Sequence, residues 1–296
     1  MPLAFLLYVS LVNNVRTFVA QHDLATAERI ARNYQKQAGA TPELAAALSW
    51  IARGALDLQQ LNQADSYASE SRALSVQLLR TRKLDADPWL PTALGASIEV
   101  HALVLAARGE RPEAVSFLSQ QLAVYGSASI GERIRKNLNL LNMEGKPAPP
   151  LDVNQWLGAK PSALAGLRGH PVLLFFWAHW CPDCKADSPI LASVMKTYGP
   201  KGLLLIAPTK LYGYVAGGEE AAPVTEKRYI EQVRQQYYPA LAGMPIPLGE
   251  NNFQVYGAST TPTIVLIDPA GVVRYYHPGA VSEQELSARV QKILGK

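Results

Sequence analysis

The sequence predicts two domains of different class: an all-α array of helical hairpins over residues 1–144, then an α/β domain over residues 151–296. Three observations carry this. Helical spacing of apolar residues runs up to about Met143 with no convincing strand. The run Glu144-Gly145-Lys146-Pro147-Ala148-Pro149-Pro150 cannot continue a helix, and residues 145–150 read as an extended linker. Beyond it, short apolar runs alternate with helical ones in the order βαβ, then ββα.

A chain of 296 residues is long enough to bury two cores. With 48% apolar and 18% charged residues it is globular in composition. Its 28 basic and 24 acidic side chains leave a formal charge of +4 without any Lys/Arg run, which argues against nucleic acid as a partner. Two cysteines cannot staple a chain of this length, and they leave no third thiol to mispair, which suits an oxidising compartment. The apolar start, Leu3 to Val12, lacks the basic flank and small-residue cleavage site of a secretory leader and is too short to span a bilayer. It reads as a first amphipathic helix running into Val15, Phe18 and Val19.

In the helical half, three turns look alike. His22-Asp23-Leu24 leads to Ala27 and Ile30, Gln60-Leu61-Asn62 to Ala64 and Tyr67, and Arg108-Gly109-Glu110 to Ala114 and Phe117. Helix-length patterns such as Leu44 to Leu58 and Ile98 to Ala107 precede the second and third. A small residue just inside the second helix lets antiparallel partners approach closely, and repetition of the unit suggests stacked hairpins. Asp87-Pro88-Trp89-Leu90-Pro91 reads as an irregular break between helices. The pattern resembles degenerate tetratricopeptide repeats, best over Ala102 to Leu122, without their Trp-Leu-Gly-Tyr signature. That resemblance implies a concave surface for a protein partner; the alternative is a helical cap that only solubilises or dimerises the other half. His22 and His101 read as surface or packing residues.

In the second half, Leu151 to Leu157 suggests a short strand and Leu164 to Gly169 a turn. A buried strand over 172–177 leads into a helix over 181–198, then a strand from Leu203 to Ala207, which should lie parallel to the first. A loop from Pro208 to Val224 precedes a helix near Thr225 to Tyr238 and a short helix over Asn252 to Tyr256. Strands Thr263 to Ile267 and Val272 to Tyr276 flank the turn Asp268-Pro269-Ala270-Gly271, and Ser282 with Glu285 forms a capping box for the last helix.

The chain's only cysteines, Cys181 and Cys184, stand at the strand-to-helix junction, the setting in which a dithiol becomes a redox centre. A thiolate is the attacking species in disulfide exchange. Cys181, at the helix N-terminus, is the expected nucleophile, because unpaired N–H groups and the positive end of the helix dipole favour its charge. Cys184, one turn on, is the expected resolving thiol. Pro182 suits the first helical turn. Asp183 disfavours a neighbouring thiolate and Lys185 favours it, so the two tune the couple in opposite directions. No second cysteine pair exists to complete a zinc site, so no metal is expected, and the redox-active Cys181–Cys184 disulfide takes the place of a cofactor.

Gly169 to Pro189, with Thr260-Thr261-Pro262-Thr263 and the Asp-Pro-Ala-Gly hairpin, resembles the TlpA/ResA-type thiol–disulfide reductases of the thioredoxin-like superfamily. The resemblance covers residues 146–296 and implies a thioredoxin fold, reduction of a protein disulfide and an upstream thiol reductant. It implies a periplasmic or otherwise extracytoplasmic location, with the cytoplasm as the alternative. It further implies a cis Pro262 facing the cysteines, with the Thr261 backbone pairing to substrate. Asp187, three residues after Cys184 and two before Pro189, matches the acid/base carboxylate of that group, which is usually Glu; the alternative is an exposed acid. The buried acid of thioredoxin itself is replaced by Phe175. Trp180 offers a substrate platform, while Trp177 reads as core and His179 as an exposed bystander rather than a proton carrier. The loop from Lys210 to Val224 reads slightly better as a plain insertion than as a rim of the site. Two other functions compete: a redox-linked scaffold or assembly factor for cytochrome or copper-site proteins, and a peroxiredoxin-like peroxidase. The second needs a Thr shortly before the reactive cysteine, which Ala178-His179-Trp180 does not supply.

Overall fold

The computed structural model describes residues 10–295, so most of the Leu3–Val12 stretch lies outside the described residues. The chain divides into two compact units, Met1–Asn137 and Leu138–Lys296.

The first unit is helical throughout its described residues: α1 (Leu11–Ala20), α2 (Leu24–Ala38), α3 (Pro42–Asp57), α4 (Leu61–Leu78), α5 (Trp89–Ala107), α6 (Arg111–Tyr125) and the start of α7 (Gly131–Asn142), within which the division falls. Side chains set several starts. Ser10 Oγ accepts the Asn13 N–H, Asp23 Oδ1 that of Thr26, and Thr41 Oγ1 that of Leu44. α3 packs on α1, α4 and α5, and α5 packs on α6. The apolar all-round character of α5 fits this, with Leu90, Leu94, Ile98 and Val104 buried.

The three look-alike turns share one backbone solution. His22 (φ 61°), Gln59 (φ 59°) and Gly109 (φ 86°) each occupy the left-handed region. The next residue's N–H reaches back to the previous helix: Asp23 to Phe18 O at 2.9 Å, Gln60 to Ala55 O at 2.8 Å and Glu110 to Leu105 O at 2.9 Å. This is the Schellman closure, which satisfies the carbonyls left over at a helix end. Ala27, Ala64 and Ala114 lie at the same offset beyond it, each fully buried. The expected break at Asp87–Pro91 is shorter than predicted: Asp87 Oδ1 accepts the N–H groups of Trp89 and Leu90, so α5 begins at Trp89. Pro91 is tolerated because N–H groups in a helix's first turn have no intrahelical partner.

The second unit contains β1 (Trp156–Gly158), β2 (Val172–Phe176), α8 (Pro182–Ala186), α9 (Ser188–Tyr198), β3 (Leu204–Ile206), α10 (Pro223–Tyr237), β4 (Pro245–Pro247), α11 (Glu250–Tyr256), β5 (Thr263–Ile267), β6 (Val273–Pro278) and α12 (Glu283–Leu294). The main sheet has the order β3-β2-β5-β6. β2 and β3 run parallel, with Val172 opposite Leu204, as a βαβ unit requires, and the β2–β5 and β5–β6 pairs are antiparallel. β2 and β5 are buried along their whole length, so alternate residues feed two cores. Leu173, Phe175, Ile264 and Leu266 join the cysteines, while Leu174, Phe176 and Val265 join Phe253 and Tyr256.

Four expectations change. The helix over 181–198 is interrupted at Asp187, because Pro189 carries no N–H and its ring crowds the carbonyl four residues back. β4 was not legible, since two of its three residues are proline; it pairs with β1, Leu157 opposite Ile246, and on its other side the Pro245 and Pro247 carbonyls accept the N–H groups of Ala207 and Thr209. Half of the capping box forms: Ser282 Oγ accepts the Glu285 N–H, but the Glu285 carboxylate accepts instead from the Tyr275 hydroxyl. The linker expected over 145–150 opens with a turn at Gly145 (φ 85°) and is not free. Gly145 N–H donates to Val273 O, Ala148 N–H to Gly271 O, and Val273 N–H to Lys146 O. The open edge beside β6 supplies these partners.

Candidate active site

β2 ends where the site begins, and the chain beyond it is fixed by side chains. Trp177 is fully buried, as expected of a core residue; its Nε1–H donates to Ala207 O at 3.1 Å, and the Thr209 hydroxyl donates to Trp177 O at 2.8 Å. Cys181 is the N-cap of α8, with Pro182 in the first turn. The Cys184 N–H points at Cys181 Sγ, 3.0 Å away, so a helix-terminal donor serves the sulfur itself. The two cysteines form a disulfide with their Cα atoms 5.3 Å apart, and both are buried. The Cys184 carbonyl accepts from the buried Tyr238 hydroxyl at 2.8 Å, which ties α8 to the end of α10. Phe175 stands 6.2 Å from the same ring, centroid to centroid, so an aromatic contact occupies the place under the cysteines.

The opposite wall is Thr261-Pro262, joined by a cis peptide bond, whose Thr261 carbonyl oxygen lies 3.4 Å from Cys181 Sγ. Residues 80 apart in sequence thus meet at one sulfur. Asp187, at the interruption between α8 and α9, is 3% exposed, and its Oδ2 has no hydrogen-bond partner. Burial first, and the Asp183 charge second, push its carboxyl up to about 6, with His277 pulling the other way. It is a buried carboxyl near neutral titration rather than an exposed acid.

A disulfide at a strand–helix junction, facing a Thr–Pro turn, is a redox geometry, and comparison with known proteins gives it a family. The family model described as a thioredoxin-like domain matches residues 162–294. The thiol:disulfide interchange protein DsbE of Pseudomonas fluorescens is 30% identical over 156 residues, 51% of this chain and 78% of that protein. The thioredoxin-like protein YneN of Bacillus subtilis is 28% identical over 148 residues, 50% of this chain and 78% of that one. The thiol-disulfide oxidoreductase ResA of Bacillus thuringiensis is 28% identical over 149 residues, with the same shares. The chain belongs to the thioredoxin-like thiol–disulfide oxidoreductases.

In this oxidoreductase, Pro182, Asp183 and Cys184 lie in the helix that Cys181 caps, and the Thr261-Pro262 turn faces Cys181. Lys185 turns aside, its Nζ resting 4.7 Å over the Tyr237 ring. Trp180 is 45% exposed beside Cys181, with Tyr212 edge-on at 5.5 Å. That contact corrects the reading of the 210–224 loop: it borders the site. The reading of His179 is corrected too. It is fully buried, because the loop folds over it and the rings of Tyr212, Tyr214 and Tyr229 meet it edge-on at 5.3–5.5 Å. Its Nε2 faces Glu226 Oε1 at 3.2 Å, and burial holds its pKa below the ordinary imidazole value, against the pull of that carboxylate. Glu226 was not singled out from sequence; the available signal was an acid in the first turn of a helix after a tyrosine-rich loop. Among the described residues, no three His, Cys, Asp or Glu side chains are grouped to hold a metal ion.

Proposed function

We propose that the oxidoreductase reduces disulfides in protein substrates, with Cys181 as nucleophile and Cys184 as resolving thiol. The Cys181 thiolate attacks a substrate sulfur, the substrate disulfide breaks, and the departing cysteine leaves as a thiolate that takes up a proton. Asp187, one helical turn from Cys184, accepts the proton of the Cys184 thiol. Cys184 then attacks Cys181 Sγ, the second substrate thiol is released, and the enzyme retains the disulfide. Two electrons pass to the substrate, and an upstream thiol reductant restores the dithiol. The cysteine pair carries the electrons, and no bound cofactor is required.

The observation that carries this reading is the Cys184 N–H on Cys181 Sγ at a helix start, with the Thr261 carbonyl opposite. The same N–H stabilises a thiolate on Cys181 once the couple is reduced, and the Thr261 backbone is placed to pair with an extended substrate strand. The exposed ring of Trp180 is the substrate platform. Asp183 opposes the heavy thiolate stabilisation of a strong oxidant, and with Lys185 turned onto Tyr237 the couple is reducing rather than strongly oxidising. The DsbE relative is named for thiol:disulfide interchange and the ResA relative as a thiol-disulfide oxidoreductase, which supports an extracytoplasmic protein. The helical unit recruits a partner protein through its repeated hairpins.

Reduction of insulin disulfides by dithiothreitol with the full chain as catalyst tests the reading: Cys181→Ala abolishes catalysis, and Cys184→Ser accumulates a mixed disulfide with substrate. A reduction potential near −120 mV, that of a strong oxidant, would overturn the reducing direction. One trapped client would indicate a dedicated assembly role and many a general reductase.

A further inference from the structure

Glu226 is a buried carboxylate to which the redox steps above assign no part. It is 1% exposed, in the first turn of α10, and three donors from outside that helix converge on it. Tyr212 N–H reaches Oε1 at 2.5 Å, Gly213 N–H reaches Oε2 at 2.8 Å, and His179 Nε2 lies 3.2 Å from Oε1. A buried carboxylate is a poor choice for stability alone, since its desolvation cost offsets most of what its partners return. What it supplies is position. One acceptor group joins the 210–222 loop to the residue two before Cys181.

The loop it holds is itself ordered. Gly213 turns in the left-handed region (φ 85°), Ala221 N–H donates to Gly213 O and Val215 N–H to Glu219 O. His179 completes the joint as a packing centre for three tyrosine rings, while its Nδ1 is buried without a partner. With Nε2–H given to the carboxylate, Nδ1 is a bare acceptor, so the ring has one hydrogen bond to offer, and it goes to Glu226. The product of the joint is the face outside it: Trp180, 45% exposed, flanked edge-on by Tyr212 and adjoining Cys181.

Resting on the protein-disulfide reading, we propose that Glu226 and His179 are positioning residues that build a specificity wall from Trp180 and Tyr212, which receives an apolar or aromatic side chain next to the substrate's half-cystine. Aromatic contacts of this kind contribute on the order of a tenfold preference in binding. The wall acts on substrate affinity and leaves the chemistry of the couple to Cys181, Cys184 and their neighbours.

The test uses the full chain with insulin as the protein disulfide. Glu226→Ala and Tyr212→Ala are each expected to raise KM about tenfold with kcat within about twofold and the Cys181–Cys184 reduction potential unmoved. Acrylamide quenching assigned to Trp180, by difference against Trp180→Phe, is expected to increase in both. His179→Gln, which retains a donor for Glu226, is expected to recover most of the KM lost in His179→Ala. Unchanged KM in both Glu226→Ala and Tyr212→Ala overturns the proposal, as does a fall in kcat with a shifted potential, which would place Glu226 on the couple itself. Should Glu226→Ala fail to fold, Tyr212→Ala alone decides. If the wild type reduces a small aromatic disulfide but not insulin, the protein-disulfide reading fails and takes the substrate assignment with it. The quenching comparison then decides the positioning joint on its own.

Discussion

Replacing Asp187 by Asn removes a carboxyl that folding has pushed from 3.8 to about 6. The sign follows from linkage. A carboxyl whose folded pKa lies above its unfolded value contributes stability that is fully present below about pH 4 and lost as pH rises through about 6. Above that, the folded chain holds a buried charge with Oδ2 unpartnered. The rise from 3.8 to about 6, at 1.36 kcal/mol per pH unit, sets a ceiling of about 3 kcal/mol, and relaxation and water penetration around the buried charge lower the expected figure to about 2 kcal/mol. At 2–4 °C per kcal/mol for a unit of this size, that is roughly 4–8 °C. The assay is thermal unfolding of the disulfide form of wild type and Asp187→Asn, from pH 4 to pH 8. Asn adds a constant offset from its own buried amide, so the measured quantity is the difference between the two melting curves as pH varies. The variant should gain on the wild type across pH 4 to 7. A pH-independent difference would refute the burial argument. In the dithiol form, the same substitution should flatten the pH profile of thiol reactivity between pH 5 and 7, and an unchanged profile would remove Asp187 from the mechanism.

Other outcomes follow from single contacts. Ala64→Leu forces a larger side chain into a fully buried helix-crossing position and should cost about 1–3 kcal/mol, read by denaturant unfolding of the helical unit. Tyr238→Phe deletes the hydroxyl that donates to Cys184 O and should cost about 1 kcal/mol, with faster hydrogen exchange at the base of α8. Ser282→Ala removes the N-cap acceptor of α12 and should lower stability by about 1 kcal/mol, seen as a lower urea midpoint with unchanged slope.

The two classes of fold were legible because their signals are local. Val172 to Phe176 is an apolar run of strand length, and the Pro-Gly turn at 268–271 and Ser282 mark boundaries by their own chemistry. Ala27, Ala64 and Ala114 were legible as a repeat because close helix packing demands a small residue wherever it recurs. What was not legible depends on partners distant in sequence. Nothing near His179 says that it is buried; that is decided by tyrosines and a glutamate 33 and more residues on, brought over it by α10. Asp187 looked like any acid near a helix start, and its burial comes from packing that no spacing rule encodes. β4 escaped because proline argues against a strand; Pro245 and Pro247 are tolerated here because they serve as acceptors, their carbonyls taking the Ala207 and Thr209 N–H groups.

Residues 145–150, read first as a tether, have a consequence for anyone who wishes to cut the molecule. Their backbone occupies the bonding positions beside β6, and the Pro149 carbonyl takes the Tyr256 hydroxyl at 2.6 Å. A redox fragment begun at Leu151 would present an unmated strand border and an orphaned buried phenol, and would invite self-association through that border. Begun at Leu138, it keeps its own selvedge.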